Sequence, residues 1–201
     1  MKRVLVIGAT GTIGQAICQE LKRDTDIIAA SYSRGDYQVD ISDSDSIKKL
    51  YADVGVVDAV ICAAARGVKF DDLPNMHIDD YKNSMQSKLW GQIDVVLQGL
   101  ANVTAGGSFT LTTGILNKDP ILQGTAAAVA NAAIEGFMQA AAMDMPNGQR
   151  INVVSPALLT ESQAQLGDYF PGYTTVAAVD VAKAYRKSVY AGHTARIYHV
   201  L

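Results

Sequence analysis

Apolar and polar residues alternate along this chain in two periods, one suited to buried strands and one to helices. Val4-Leu5-Val6-Ile7 is a continuous apolar run, as expected of a strand covered by helices on both faces. A helical pattern follows from Thr12 to Lys22. Asp26 to Ser31 predicts a second strand and Tyr37 to Asp40 a short third. Ser42-Asp43-Ser44 can cap a helix that carries Ile47, Leu50, Tyr51 and Val54 on one face. Val56 to Cys62 predicts a fourth strand. After a loop around Pro74, a long helix is expected from Ile78 to Val103. Gly107 to Thr113 predicts a fifth strand and Gly124 to Met143 an alanine-rich helix. Arg150 to Ser155 predicts a sixth strand, Val179 to Tyr190 a helix, and Arg196 to Leu201 a closing strand. The alternation is that of a parallel sheet wrapped by helices. No repeat or linker interrupts it, so one domain is expected over residues 1–201.

The junction after the first strand adds chemistry to this frame. Gly8-Ala9-Thr10-Gly11-Thr12-Ile13-Gly14 gives a Gly-x-x-Gly-x-x-Gly spacing between a strand and a helix. Gly8 permits the tight turn, Gly11 lets backbone approach a pyrophosphate, and Gly14 lets the helix pack on the strand. The free N–H groups and positive end of that helix face the phosphates. The alternative is an ordinary strand–helix turn. With the glycine loop, the pattern predicts an α/β, Rossmann-type, doubly wound parallel sheet of about seven strands in three α/β/α layers.

Ligands in such sheets bind beyond the carboxyl ends of the strands. That selects the glycine loop, Ser31 to Arg34, Asp40-Ile41, Cys62 to Arg66, Thr112 to Leu116 and Ser155 to Ser162. A dinucleotide site selective for NAD carries an acid about 20 residues after the glycine loop, to hold the ribose 2′-hydroxyl. Here the second strand ends Ser31-Tyr32-Ser33-Arg34, with no acid before Asp36. A guanidinium and a hydroxyl suit a phosphate, so Ser33 and Arg34 point to NADP(H) in preference to NAD(H). The competing reading of Arg34 is a solvated loop charge. Asp40, before Ile41, is set to meet the adenine edge or to cap the next helix.

Composition narrows the function classes. The net charge of −3 gives no footprint for nucleic acid or an anionic membrane. No apolar run is long enough to span a bilayer, and no signal peptide is expected because the N-terminus already reads as a core strand. Cys18 and Cys62 form no metal-ligand cluster, and none of His77, His193 and His199 has a partner visible in the sequence. No metal is expected. The cysteine usage suits a reducing cytoplasm.

The chain resembles the short-chain dehydrogenase/reductase family over essentially its whole length. The resemblance rests on VLVIGATGTIG, on Val39-Asp40-Ile41, and on Cys62-Ala63-Ala64-Ala65 in place of an Asn-Asn-Ala-Gly-like turn. It continues through Asn131-Ala132-Ala133-Ile134-Glu135-Gly136-Phe137 and Arg150-Ile151-Asn152-Val153-Val154-Ser155-Pro156, with Ala157 where the family has Gly. It implies a dinucleotide held by Gly8, Thr10, Gly11, Thr12, Ile13, Gly14, Ser33, Arg34, Asp40, Ile41, Ala63, Ala64, Ala65, Asn131, Pro156 and Leu159. It also implies a homodimer or homotetramer, since the alanine-rich helix corresponds to one at the family's dimer interface. A monomer with that helix packed on its own sheet is the alternative.

The family's catalysis uses Asn, Ser, Tyr and Lys, and the chain departs from that set. The Tyr-x-x-x-Lys motif becomes Ala127-x-x-x-Asn131. The Ser position falls at Thr113, or at Thr112 if the register slips, and the Asn position falls near Lys88. Between Asp119 and Asp168 there is neither a tyrosine nor a lysine, so no shift of register restores the pair. A positioned general acid contributes about 10²–10⁴-fold to a rate. The best substitute is Lys88, on a long stem, with a pKa that desolvation can depress. Its alternative is a surface or interface lysine. Thr113 could orient a carbonyl, or be an ordinary strand residue, while Asn131 could bind the ribose. Tyr32, Tyr169 and Tyr173 sit in loops able to approach a ligand or simply to pack. Two functions therefore compete: an NADP(H)-dependent oxidoreductase on a small carbonyl or alcohol with a non-standard donor, or a catalytically inactive dinucleotide-binding redox or ligand sensor.

Overall fold

Alternate side chains of a strand leave on opposite faces of its sheet, and in a strand buried on both sides each face needs its own cover. The first strand has that character. In the computed structural model, which describes residues 1–201, Lys2–Ile7 form β1. Val4 and Val6 enter one core while Leu5 and Ile7 enter the other. The elements continue as α1 (Thr12–Leu21), β2 (Thr25–Ser31), β3 (Tyr37–Gln38), α2 (Ser44–Val54) and β4 (Val57–Cys62). Next come α3 (Ile78–Met85), a π-helical turn (Gln86–Gly91), α4 (Gln92–Gly99), β5 (Val103–Thr112) and α5 (Thr125–Asp144). β6 (Arg150–Pro156), β7 (Leu158–Leu159), a short α6 (Gln163–Leu166), β8 (Thr175–Val176), α7 (Ala178–Tyr190) and β9 (Ile197–Val200) complete the chain.

Seven strands form one parallel sheet in the order β3-β2-β1-β4-β5-β6-β9. Ile17 and Leu21 of α1 and Val181 and Tyr185 of α7 cover the Val4 face. Ile47 and Leu50 of α2, Val95 of α4, and Ile134 and Met138 of α5 cover the Leu5 face with Phe109. This is the doubly wound, three-layer α/β/α arrangement. Strand order reverses between β1 and β4, which opens a crevice beyond their carboxyl ends.

Three expectations are corrected. The helix expected from Ile78 to Val103 is three segments, and Val103 opens a strand. Gly106, with φ +70°, lets β5 bulge at its start, where the register against β4 shifts. The third strand stops at Gln38, because Asp40 and Ser42 form a hydrogen-bonded turn, the Ser42 amide and hydroxyl donating to the Asp40 carboxylate at 2.9 and 2.6 Å. The cap of α2 is Asp43, whose carboxylate accepts from the Asp45 amide, so Asp40 does not cap that helix. The β7–β8 ladder was not anticipated, since two-residue strands leave no periodic signal. No helix is long and apolar enough to cross a membrane.

Candidate cofactor and catalytic site

The glycine loop is built for backbone contact. At Gly8 φ is +88°, and a Cβ there would lie 2.7 Å from the Ala63 carbonyl carbon. A Cβ on Gly14 would lie 2.0 Å from the Gly8 oxygen, so the helix reaches the strand only because that side chain is absent. The Gly11 N–H closes the turn onto the Gly8 carbonyl at 3.0 Å. Gly11 is the N-cap of α1 and supplies no side-chain cap, which leaves first-turn amides at Thr12 and Ile13 for an anion. The residues present therefore fit a dinucleotide's phosphates.

A first cavity, of about 260 Å³, opens from this loop toward the ends of β2 and β3. Gly8, Thr10 and Gly11, Tyr32, Ile41, Ala63 to Arg66, and Ser87 are among its walls. Ser33 and Arg34 are not. Gly35, at φ +116°, turns the chain back on β2, where the Asp36 amide donates to the Ala29 carbonyl at 2.8 Å. The Ala29 amide donates in turn to the Asp36 carboxylate at 2.9 Å, and Arg34 is left exposed on the outside of that turn. The cation that faces the cavity is Arg66. Its guanidinium lies 3.5 Å from the centre of the Tyr32 ring and donates to Asp40 at 2.9 Å. Burial works against the Asp40 carboxylate, but hydrogen bonds from Ser42 and Arg66 outweigh it and hold its pKa below the ordinary value. Arg66 belongs to a segment the sequence selects, yet no spacing marks it, because it acts across the crevice from another strand.

A second cavity, of about 360 Å³, lies beyond β5 and β6. Ala65 and Arg66 wall both cavities, so the two form one groove across the carboxyl ends of the strands. Lys88, Thr113, Asn131 and Ala127 all line the second, with Pro156 and Leu159 beside them. Lys88 stands in the π-helical turn, and its ammonium donates long hydrogen bonds to the carbonyls of Thr112 and Thr113 at 3.4 and 3.3 Å. It is thus a cavity lysine, not a surface one. Burial pulls its pKa down to about 8, against a smaller upward pull from Cys62. Burial pushes the Cys62 thiol up to about 11.

Thr113, not Thr112, faces the cavity. The Thr112 hydroxyl donates to the Cys62 carbonyl at 2.6 Å and meets the Tyr185 hydroxyl at 2.7 Å, on the far side of the strand. The Thr113 hydroxyl is buried with no partner in the protein. Asn131 donates to the Gly114 carbonyl at 3.0 Å, and its Oδ1 likewise has no partner. The cavity wall thus carries two polar atoms with unused hydrogen-bonding capacity beside a desolvated amine. The outer walls, Val68, Phe70, Ile115, Leu116, Leu166 and Phe170, are apolar. Phe70 stacks obliquely on Tyr169 at 6.3 Å, and Tyr173 donates to Asp119 at 3.0 Å, so both tyrosines tie loops together outside the cavity. His193 meets the Tyr198 hydroxyl at 3.0 Å, remote from both cavities.

A family model described as enoyl-(acyl carrier protein) reductase matches residues 8–193. The chain is similar to the protein lin1944 from Listeria innocua, with 43% identity, a TM-score of 0.98 and full coverage of both chains. It is also similar to a small-chain dehydrogenase solved in complex with NADPH. There the identity is 25% and the TM-score 0.87, over 99% of this chain and 96% of that one. A short chain dehydrogenase from Mycobacterium smegmatis shares the fold at 18% identity and a TM-score of 0.84, over 100% of this chain and 91% of that one. No curated protein matches the chain.

Proposed function

From a chain that belongs to the short-chain dehydrogenase/reductase family of oxidoreductases, we propose an NADP(H)-dependent reductase of small apolar carbonyls with Lys88 as its proton donor. The observation that carries this reading is the convergence of the Lys88 ammonium, the Thr113 hydroxyl and the Asn131 carboxamide on one otherwise apolar cavity. In this reading Gly8, Thr10, Gly11, Thr12, Ile13 and Gly14 hold the pyrophosphate. Ile41 and Ala63 to Ala65 border the adenosine half, and Asn131, Pro156 and Leu159 border the nicotinamide half. When bound, the dinucleotide supplies hydride to the carbonyl carbon. The chain's own residues orient the carbonyl and protonate its oxygen.

Thr113 donates its free hydroxyl hydrogen to the substrate oxygen and polarises the carbonyl. Lys88, charged below about pH 8 and already desolvated, gives its proton to the same oxygen as negative charge develops there. The apolar walls favour an uncharged, hydrophobic substrate and keep water from the reacting carbon. Ala127, where the resemblance sets a tyrosine, leaves room for the lysine to act from the opposite side. The NADPH-bound relative at 25% identity supports the choice of nicotinamide phosphate, as does the position of Asp36, which is turned back on β2 and lies outside the cavity wall. Two free cysteines support a cytoplasmic setting.

We extend the proposal to a homo-oligomer. The exposed residues of α5 include Val129, Ala132, Gly136, Ala140 and Met143, an apolar stripe of helical period, and Trp90 of the π-helical turn and Leu97 of α4 are exposed as well.

The test is NADPH-dependent reduction of a panel of hydrophobic aldehydes and ketones by the wild type and Lys88→Met. The wild-type rate is expected to be level below pH 8 and to fall tenfold per unit above it. Lys88→Met is expected to lose about 10²–10⁴-fold in kcat and to lose that titration. An unchanged rate or pH profile in Lys88→Met removes Lys88 as donor. No turnover of any carbonyl by a wild type that still binds NADPH favours the second reading, a dinucleotide-binding sensor. That alternative is supported by the absence of any tyrosine or lysine between Asp119 and Asp168.

A further inference from the structure

The two cavities meet at a side chain to which neither the glycine loop nor the catalytic cluster gives a role. We infer that Arg66 is the residue that recognises the adenosine 2′-phosphate and sets the preference for NADP(H), in place of Arg34; this rests on the dinucleotide reading of the groove. In a sheet of this order the adenosine ribose lies beyond the ends of β2 and β3. Arg66 enters that region from the other side, after β4, and is held there by one residue from each of those strand ends. Tyr32, following β2, offers its ring face to the guanidinium at 3.5 Å. Asp40, following β3, takes a single hydrogen bond at 2.9 Å from Nη2.

This is the arrangement that a planar phosphate receptor requires. Stacking fixes the plane of the guanidinium, and the acid fixes its rotation within that plane. The Nε and Nη1 donors remain free to make a forked contact. The side chain is 46% exposed, so a phosphate can reach it from the groove. Asp40 is the sole carboxylate in contact with the guanidinium, and the Ser42 amide and hydroxyl already engage the same oxygen that Arg66 takes. Asp36, the other acid near the end of β2, is tied to the Ala29 amide. Neither Asp36 nor Asp40 lines the groove, while Arg66 lines both of its cavities and its guanidinium is in position to bind a 2′-phosphate ester. Arg34, by contrast, lines neither cavity, because Gly35 and Asp36 fold its turn back on β2.

The inference is tested by calorimetric binding of adenosine 2′,5′-bisphosphate and of 5′-AMP, which differ by the 2′-phosphate alone, and of NADPH and NADH. Measurements are made on the wild type, Arg66→Met, Arg66→Lys and Arg34→Ala, with thermal unfolding as the control for folding. Arg66→Met is expected to weaken the bisphosphate and NADPH by about 10- to 100-fold while changing 5′-AMP and NADH less than about threefold. Arg66→Lys keeps the charge and loses the fork, so it recovers part of the difference. Arg34→Ala is expected to leave the preference intact. Equal weakening of both nucleotides by Arg66→Met overturns the assignment and makes Arg66 a general anion contact. Loss of the preference in Arg34→Ala, with Arg66→Met unaffected, overturns it in favour of the turn after β2. A wild type that binds both nucleotides equally overturns it while leaving dinucleotide binding standing. A wild type that binds neither overturns this inference and the reading beneath it together.

Discussion

Lys88 carries a cost that its neighbours do not repay. Its ammonium is desolvated and donates only two long hydrogen bonds, both to backbone carbonyls. A folded pKa of about 8 lies below the ordinary lysine value near 10.4. Below pH 8 both folded and unfolded chains hold the proton, and the folded chain bears the full penalty. Between the two values the unfolded chain keeps a proton that the folded chain has released, so the penalty shrinks as pH rises. Lys88→Met is therefore expected to be more stable than the wild type at pH 7, by about 1–3 kcal/mol, with the gap narrowing toward pH 10. Urea unfolding at both pH values measures it, and a destabilised Met variant at pH 7 argues that the amine is stabilising. Stability given up at one residue in a cavity is what a functional site costs. That Lys88 and Thr113 share one cavity was legible in the sequence because the chain's resemblance fixes their places at the ends of neighbouring elements. The placement of Arg66 was not, since it depends on a ring and an acid contributed by two other segments. Arg34 lies outside both cavities, and nothing in its spacing reveals the turn at Gly35 that puts it there.

The element that delivers the amine is the π-helical turn between α3 and α4. Such turns replace the usual i→i−4 bonds and recur at functional sites. Here Gly91 is required, since a Cβ would lie 2.3 Å from the Ile41 carbonyl oxygen, and this brings the turn against the segment that follows β3. Gln92 locks its end. The Gln92 amide donates to the carbonyls of Lys88 and Thr112 at 2.8 and 2.9 Å and accepts from the Thr112 N–H at 2.8 Å. Both bonds with Thr112 lie in the interior, so Gln92→Leu leaves the buried Thr112 N–H unpaired. That variant is expected to lose about 2–4 kcal/mol, read by chemical denaturation, and to lower kcat with little change in NADPH affinity. An equal loss of NADPH affinity argues that the glutamine supports the whole crevice instead. The strands were easy to read because buried parallel strands are apolar runs bounded by turn residues. The π turn was invisible because a change of phase partway along the 26-residue stretch from Ile78 to Val103 leaves each half helical in period.

Across the whole molecule, two cores divide the work. The core under α1 and α7 is a cover for the sheet, whereas the core under α2, α4 and α5 also carries the turn with Lys88 and the wall with Asn131. α5 has apolar residues on its solvent side as well as its buried side, which suits a second chain packed against it. A Cβ at Gly136 meets nothing within 4 Å in one chain, so Gly136→Arg is expected to fold normally and to shift the particle to monomer in light scattering. A wild type that is monomeric at all concentrations ends the oligomer proposal. The break at Gln86–Gly91 has a wider effect than the delivery of one amine. A regular helix turns about 100° per residue, so one surplus residue puts α3 and α4 out of phase by roughly that angle. On its side of the break, α3 aims Tyr81 at Thr125 of α5, with the hydroxyls 2.8 Å apart. Beyond it, α4 turns Val95 and Val96 into the core, and the Tyr51 hydroxyl of α2 donates to the Val95 carbonyl at 2.7 Å. An unbroken helix would have one apolar stripe to share between these two neighbours. The surplus residue gives the run two differently clocked faces, and Lys88 stands at the seam between them.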